Sequence, residues 1–168
     1  YGLISSDGVN VWDHPLNNSH TNGTSITQSY DGKYIIAGNY QPPGEQDEPF
    51  ILKTTYNNEY TFYDNIDLGD DSYANSVLEL EDRNIILCGN RDNDIWLRKV
   101  DENNNIIWNY TYDSGFCNDV IQSSDGNILI TGQLYEQFTP QDDPDAFVMK
   151  IDQDGNEIYQ YYWTESYE

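Results

Sequence analysis

Short apolar runs bounded by Asp, Asn and Gly recur along the whole chain. Ile35-Ile36, Ile85-Ile86-Leu87 and Ile128-Leu129-Ile130 each follow an acidic turn and end within a few residues on a glycine, Gly38, Gly89 or Gly132. The flanking segments carry Val, Ile, Thr, Tyr, Phe and Trp, types that suit a pleated, half-buried surface. No segment keeps apolar residues at helical spacing long enough to compete. The pattern predicts strands over Ser25–Ser29, Lys33–Asn39, Phe50–Thr55 and Glu59–Ile66. It predicts the same series over Ser76–Leu80, Asn84–Asn90, Ile95–Val100 and Ile106–Tyr112, and again over Asp119–Ser123, Asn127–Leu134, Ala146–Ile151 and Glu157–Trp163. Consecutive apolar positions in the second strand of each series predict cover on both faces.

The series is a repeat. Lys99-Val-Asp101-Glu-Asn103-Asn-Asn105-Ile-Ile-Trp108 returns as Lys150-Ile-Asp152-Gln-Asp154-Gly-Asn156-Glu-Ile-Tyr159, and in worn form as Lys53 to Phe62. A second phrase, an acidic turn and an apolar strand ending in Gly, starts at Asp31, Asp82 and Asp125. Four short strands per unit of roughly 40 to 50 residues is the pattern of a propeller blade. The expected fold is therefore all-β and β-propeller-like. Three four-stranded blades are expected over about 24–66, 75–112 and 118–163, as one domain. Residues 1–20 add a two-stranded half-blade: Leu3 to Ser5, a turn at Asp7-Gly8, then a return strand with Val9, Val11 and Trp12, ended by Pro15 and the polar run from Asn17 to Gly23.

These repeats resemble those of prokaryotic extracellular β-propeller proteins. The Asp101 to Trp108 spacing resembles the Asp-to-Trp phrase of quinoprotein-type propellers, where the aromatic packs between blades. The matching positions are Trp12, Phe62, Trp108 and Tyr159. The resemblance implies architecture only. No equivalent of a quinone pocket is visible, and that activity is not carried over.

Closed propellers use about four to eight blades. Three blades and a half leave open β edges, which are templates for pairing with another chain. The expected role is structural or interaction-mediating, by assembly with itself or related subunits into a ring or filament. The expected contacts are Leu3, Val9, Val11 and Trp12 at one end, and Tyr159, Tyr161 and Trp163 at the other. A chain that is a piece of a longer propeller is the competing explanation. The alternative function is a glycan- or protein-binding module, with Tyr40, Tyr56, Tyr73, Tyr135 and Trp163 as candidate stacking residues.

Charge narrows the partners. Thirty Asp plus Glu against seven Lys plus Arg give a net charge of -23, which repels nucleic acid and anionic membranes. No apolar run approaches a membrane span. The chain opens on Tyr1 rather than Met, so an upstream piece is expected. The Asp101/Asn103/Asn105 and Asp152/Asp154/Asn156 sets supply oxygens that calcium accepts, and they are equally what hairpin turns use. Calcium is the one candidate cofactor. His14 and His20 are the only imidazoles and no nucleophile motif is present, so the chain is read as non-enzymatic. Asn17, Asn22 and Asn109 begin N-glycosylation sequons. Cys88 stands where the other repeats have Ala37 and Thr131, and Cys117 where they have Gly23 and Ala74. The two cysteines admit two readings: small buried hydrophobes, or a disulfide between neighbouring repeats, which fits a secreted or cell-surface protein.

Overall fold

A computed structural model describes residues 2–4, 10–13, 20–54, 60–135 and 145–163. Every regular element in them is a β-strand. β1 (Gly2–Ile4) and β2 (Asn10–Asp13) pair antiparallel, with Leu3 opposite Trp12. β3 (His20–Gln28), β4 (Tyr34–Gln41), β5 (Glu48–Thr54) and β6 (Tyr60–Asn65) form a four-stranded antiparallel sheet in chain order. A seven-stranded antiparallel sheet follows, also in chain order. It holds β7 (Ser72–Glu79), β8 (Ile85–Arg91), β9 (Asp94–Val100), β10 (Ile106–Gln122), β11 (Ile128–Leu134), β12 (Asp145–Ile151) and β13 (Glu157–Trp163). Among the described residues the sheets close into neither a barrel nor a ring, and no helix is long and apolar enough to cross a membrane.

The strand pattern departs from expectation at three places, the simplest being β7, which begins at Ser72 rather than Ser76. The polar run before Gly23 is not all connector, because β3 begins at His20 and pairs with Gln41. The break expected between Tyr112 and Asp119 is absent. β10 runs through it for 17 residues, pairing with β9 up to Ser114 and with β11 from Gly115. The crossing stays extended because its backbone finds partners: the Gly115 N–H donates to Asn93 at 2.6 Å, and the Ser114 carbonyl accepts from Tyr135 at 2.9 Å. The large sheet is thus two four-stranded meanders sharing β10. We call β3–β6 the first meander, β7 to the first half of β10 the second, and the rest the third. The expected turn at Asp7-Gly8 and strand residue Val9 lie outside the described residues.

The two repeated phrases share a turn and are tied to each other. All three acidic phrases and two of the lysine phrases close a hairpin in one geometry. The residue before the loop exchanges backbone bonds with the residues three and four later, at Ser29, Leu80, Asp101, Ser123 and Asp152. The third loop residue is left-handed in all five, at Gly32, Arg83, Asn104, Gly126 and Gly155. That is the type I turn with a glycine-type bulge, for which Gly and Asn are the fitting residues. The lysine phrase is tied to the acidic one in each meander, by Lys53–Asp31 at 3.9 Å, Lys99–Asp82 at 3.5 Å and Lys150–Asp125 at 2.6 Å. The glycines inside β4, β8 and β11 have a packing reason. A Cβ on Gly38, Gly89 or Gly132 would run into the carbonyl oxygen of Asn22, Tyr73 or Phe116 on the neighbouring strand.

Two hydrophobic cores lie on either side of the second meander. Ile85 and Leu87 of β8 face the first meander, packing with Ile35, Ala37, Ile51 and Trp96. Ile86 and Cys88 point the other way, into a core with Ile128, Ile130, Phe147 and Met149 of the third. Cover on both faces therefore holds for β8. It fails for β4 and β11, where Ile36 and Leu129 are only half-buried. The alternation of strand side chains puts those two residues on the outward faces.

Candidate functional site

The contacts between meanders obey one rule, used twice. The first strand of each meander carries a register shift between Gly23/Ser25, Ala74/Ser76 and Cys117/Asp119. The skipped residue is aimed at the next meander. The Thr24 hydroxyl donates to the Ala74 carbonyl at 2.7 Å, and the Asn75 amide donates to the Cys117 carbonyl at 2.8 Å. A turn N–H is the second point. Tyr30 donates to the Glu79 carboxylate at 2.6 Å, and Glu81 donates to the Gln122 side-chain oxygen at 2.9 Å. The third point is a pair of small residues, Ala37 and Ala74 in the first contact, Cys88 and Cys117 in the second. The cysteines form a disulfide with Cα atoms 5.7 Å apart, which decides between the two readings of these residues.

The outward face of the third meander repeats these positions without a covering sheet among the described residues. Asn118, Ser124 and Thr131 are exposed, Ile121 is 53% exposed, and Leu129 and Val148 are half-buried. Tyr161 (62% exposed) and Trp163 (61%) continue the same face on β13, an edge strand of the large sheet. Tyr159 is half-buried, its ring 5.2 Å from Tyr161. The outward face of the first meander is open on its inner strands, where Ile26 is 64% exposed. On β5 it is covered, with Phe50, Leu52 and Thr54 buried. Of the expected N-terminal contacts, Leu3, Val11 and Trp12 lie on β1 and β2, their side chains outside what is described; Val9 is wholly outside.

A cleft of about 540 Å³ opens between the second and third meanders, where β9, β10, β12 and β13 converge. Asp94, Asp113 and Asp145 line it together with Tyr112, Tyr135, Tyr162, Ser114, Leu134 and Gln160. No Lys or Arg does. The Tyr112 hydroxyl donates to the Gly155 carbonyl at 2.7 Å, and burial pushes its ionisation far above the usual phenol range. Aromatic rings beside carboxylates can stack on a sugar ring and accept from its hydroxyls. Of the candidate stacking residues among those described, only Tyr135 lines this cleft. The Tyr73 hydroxyl donates to Asp47 at 2.9 Å and to Asp71 at 3.3 Å. Burial, then Asp47, pushes its pKa up to about 12. Tyr40 sits half-buried on β4, Trp163 is on the outward face, and Tyr56 is outside the described residues. The chain's alternation of aromatic and acidic residues could not single out this cleft, because it forms only where two repeats meet.

Of the candidate calcium residues, Asp101 and Asp152 accept hydrogen bonds from their own turns. Asp101 accepts from the Asn103 N–H at 2.9 Å and from the Asn105 N–H and side-chain amide, each at 2.8 Å. Asp152 accepts the same set from Asp154 and Asn156, each at 2.9 Å. These bonds, from Asn105 and Asn156 first, hold both carboxyls below the usual range. Among the described residues no group of three or more His, Cys, Asp or Glu side chains is placed to hold a metal ion. Asn22 is exposed on β3. The Asn109 oxygen accepts from the Trp96 indole at 2.7 Å and from Arg98 at 3.2 Å; Asn17 and His14 lie outside the described residues. Comparison with protein-family models and with curated proteins gives no match for this chain.

Proposed function

We propose that this chain is a non-enzymatic structural and interaction module, built of propeller-type blades and placed outside the cell or on its surface. It assembles through the outward face and edge of its third meander. One observation carries the reading: Leu129 is half-buried and Thr131 exposed, at positions whose equivalents, Ile35 and Ile86 for the first and Ala37 and Cys88 for the second, are fully buried against a neighbouring sheet. An exposed, apolar, aromatic sheet face of this kind is a binding surface. The Cys88–Cys117 disulfide supports an oxidising compartment. The test is mass in solution by light scattering. The wild-type chain is expected above its 19.4 kDa monomer. Ile121→Glu with Leu129→Glu is expected to be monomeric with an unchanged strand signature in circular dichroism. A wild-type monomer overturns the reading.

A second reading is favoured by the cleft: a glycan or a protein segment held at Tyr135 between Asp94, Asp113 and Asp145. Selective retention on a glycan array, lost in Tyr135→Ala, is its expected signature. Retention unchanged in that variant removes the cleft from consideration.

A further inference from the structure

We infer that the occupant of the third meander's outward face is the first meander of a second copy of this chain. It docks head to tail in the register that joins meanders within one chain. The inference rests on the assembly reading above and specifies its partner.

The warrant is positional. Each contact inside the chain joins a forward face, carrying the skipped residue and the turn N–H, to a backward face, carrying a carbonyl and a Glu or Gln. The third meander's open face is a forward face. Asn118 stands where Thr24 and Asn75 stand, and Ser124 where Tyr30 and Glu81 stand. The first meander's open face is a backward face. Gly23 stands in register where Ala74 and Cys117 stand, opposite Gly38, Gly89 and Gly132. Gln28 stands where Glu79 and Gln122 stand, opposite Tyr34, Ile85 and Ile128.

The missing contact can therefore be written atom by atom. The Asn118 amide donates to the Gly23 carbonyl of the second copy. The Ser124 N–H donates to the Gln28 side-chain oxygen. Gln28 already shares a habit with Gln122, since each amide reaches the carbonyl of its own turn glycine, Gly32 at 3.5 Å and Gly126 at 3.0 Å. Ile121 and Leu129 meet Ile26 and Ile36, as Leu78 and Ile86 meet Val120 and Ile130 inside the chain. The burial of Phe50, Leu52 and Thr54 takes those β5 residues out of the docking area of the first meander. The two faces differ, so the contact is heterologous. It gives a ring if its rotation closes and a filament if it does not. Two copies of charge -23 repel, so association is expected to strengthen in salt, where the screening length falls to about 3 Å at 1 M.

The disulfide supplies the experiment. Thr131 and Gly23 occupy the positions of Cys88 and Cys117 on the two open faces. The native cysteines are paired, so an introduced thiol is the only one available. A Cβ at Gly23 has room, its nearest neighbour being the Ile36 methyl at 4.0 Å. Thr131→Cys and Gly23→Cys are made as separate variants, mixed in high salt and oxidised. A disulfide-linked dimer is expected from the mixture on a non-reducing gel, and none from either variant alone. No cross-link in the mixture, or equal cross-linking of either variant with itself, overturns the inference. If wild-type still assembles and Leu129→Glu still abolishes assembly, only the occupant is wrong. If the wild type is a monomer, both readings fall. As a check without thiols, Ile26→Glu and Leu129→Glu are each expected to be monomeric alone and to form a one-to-one dimer when mixed.

Discussion

The contact between the first and second meanders and the contact between the second and third share their geometry and differ in their chemistry. Both use a skipped residue on a carbonyl and a turn N–H on a Glu or Gln. The first contact is then fixed by charge. Lys53 and Glu79 are both buried and 3.1 Å apart, and Ser29 also donates to Glu79 at 2.7 Å. The second has a neutral Gln122 at that position and is fixed by the Cys88–Cys117 bond instead. Its Lys99 turns to Gln153 at 2.6 Å and to Asp82. A repeated backbone can thus keep its register while the specific clamp at each joint is replaced.

The sharpest way to break the comparison is at Glu79. Glu79→Ala removes the acid from beside a buried Lys53 and is expected to cost about 3–5 kcal/mol, read as a fall in the urea midpoint. Glu79→Gln copies the second contact and is expected to lose less. A loss below about 1 kcal/mol in the alanine variant would show that Lys53 relaxes onto Asp31. The disulfide is expected to come next. Replacing Cys88 and Cys117 by Ala is expected to cost about 3 kcal/mol for a closed loop of this length, and reductant should lower the wild-type midpoint similarly. The two losses should add, because they sit on opposite faces of the second meander.

Much of this was legible in the chain. The strands of all three meanders, the turns and the repeated register follow from apolar runs and Asp/Gly punctuation, and β13 falls where the pattern puts it, at Glu157–Trp163. What the pattern missed depends on partners far away in sequence. The stretch from Asp113 to Asn118 looks like a connector, and only the bonds of Ser114 and Gly115 to Tyr135 and Asn93 make it strand. Leu129 reads like Ile86, yet one is half-buried and the other fully buried, because only one has a sheet beyond it. Cys88 and Cys117 align with small residues, and alignment alone leaves their pairing open. The cleft at Tyr135 is assembled from two repeats and has no local signature.

The same alignment allows the comparison to be sharpened by exchange. Ala37 and Ala74 occupy in the first contact the positions of the disulfide in the second. Ala37→Cys with Ala74→Cys is expected to form a second disulfide and to raise stability by about 2 kcal/mol. Mass spectrometry of the unreduced chain checks the bond, and the urea midpoint checks the gain. Two free thiols in the folded variant would show that the first contact is wider than the second, and that charge is used there because a covalent clamp cannot reach.

The smallest expected effect concerns the exposed pair that ties the two phrases in the third meander. Asp125 is held far below the usual carboxylate range, by Lys150 first and then by the Ser123 hydroxyl. A folded-state value below the unfolded one, near 3.9, means that the native state binds fewer protons across that window. The contribution of Asp125 is therefore complete above about pH 4 and is lost as pH falls through the folded value. Asp101 and Asp152, also held low by their own turns, move with it, while relief of the overall repulsion in a chain of net charge -23 moves the other way. Asp125→Asn separates the two trends. Its urea midpoint is expected slightly below wild type at pH 6, with the gap narrowing steadily towards pH 2. A gap that stays constant with pH would mean that the side chain acts through its shape in the turn, which asparagine reproduces only in part, and that Lys150 adds nothing.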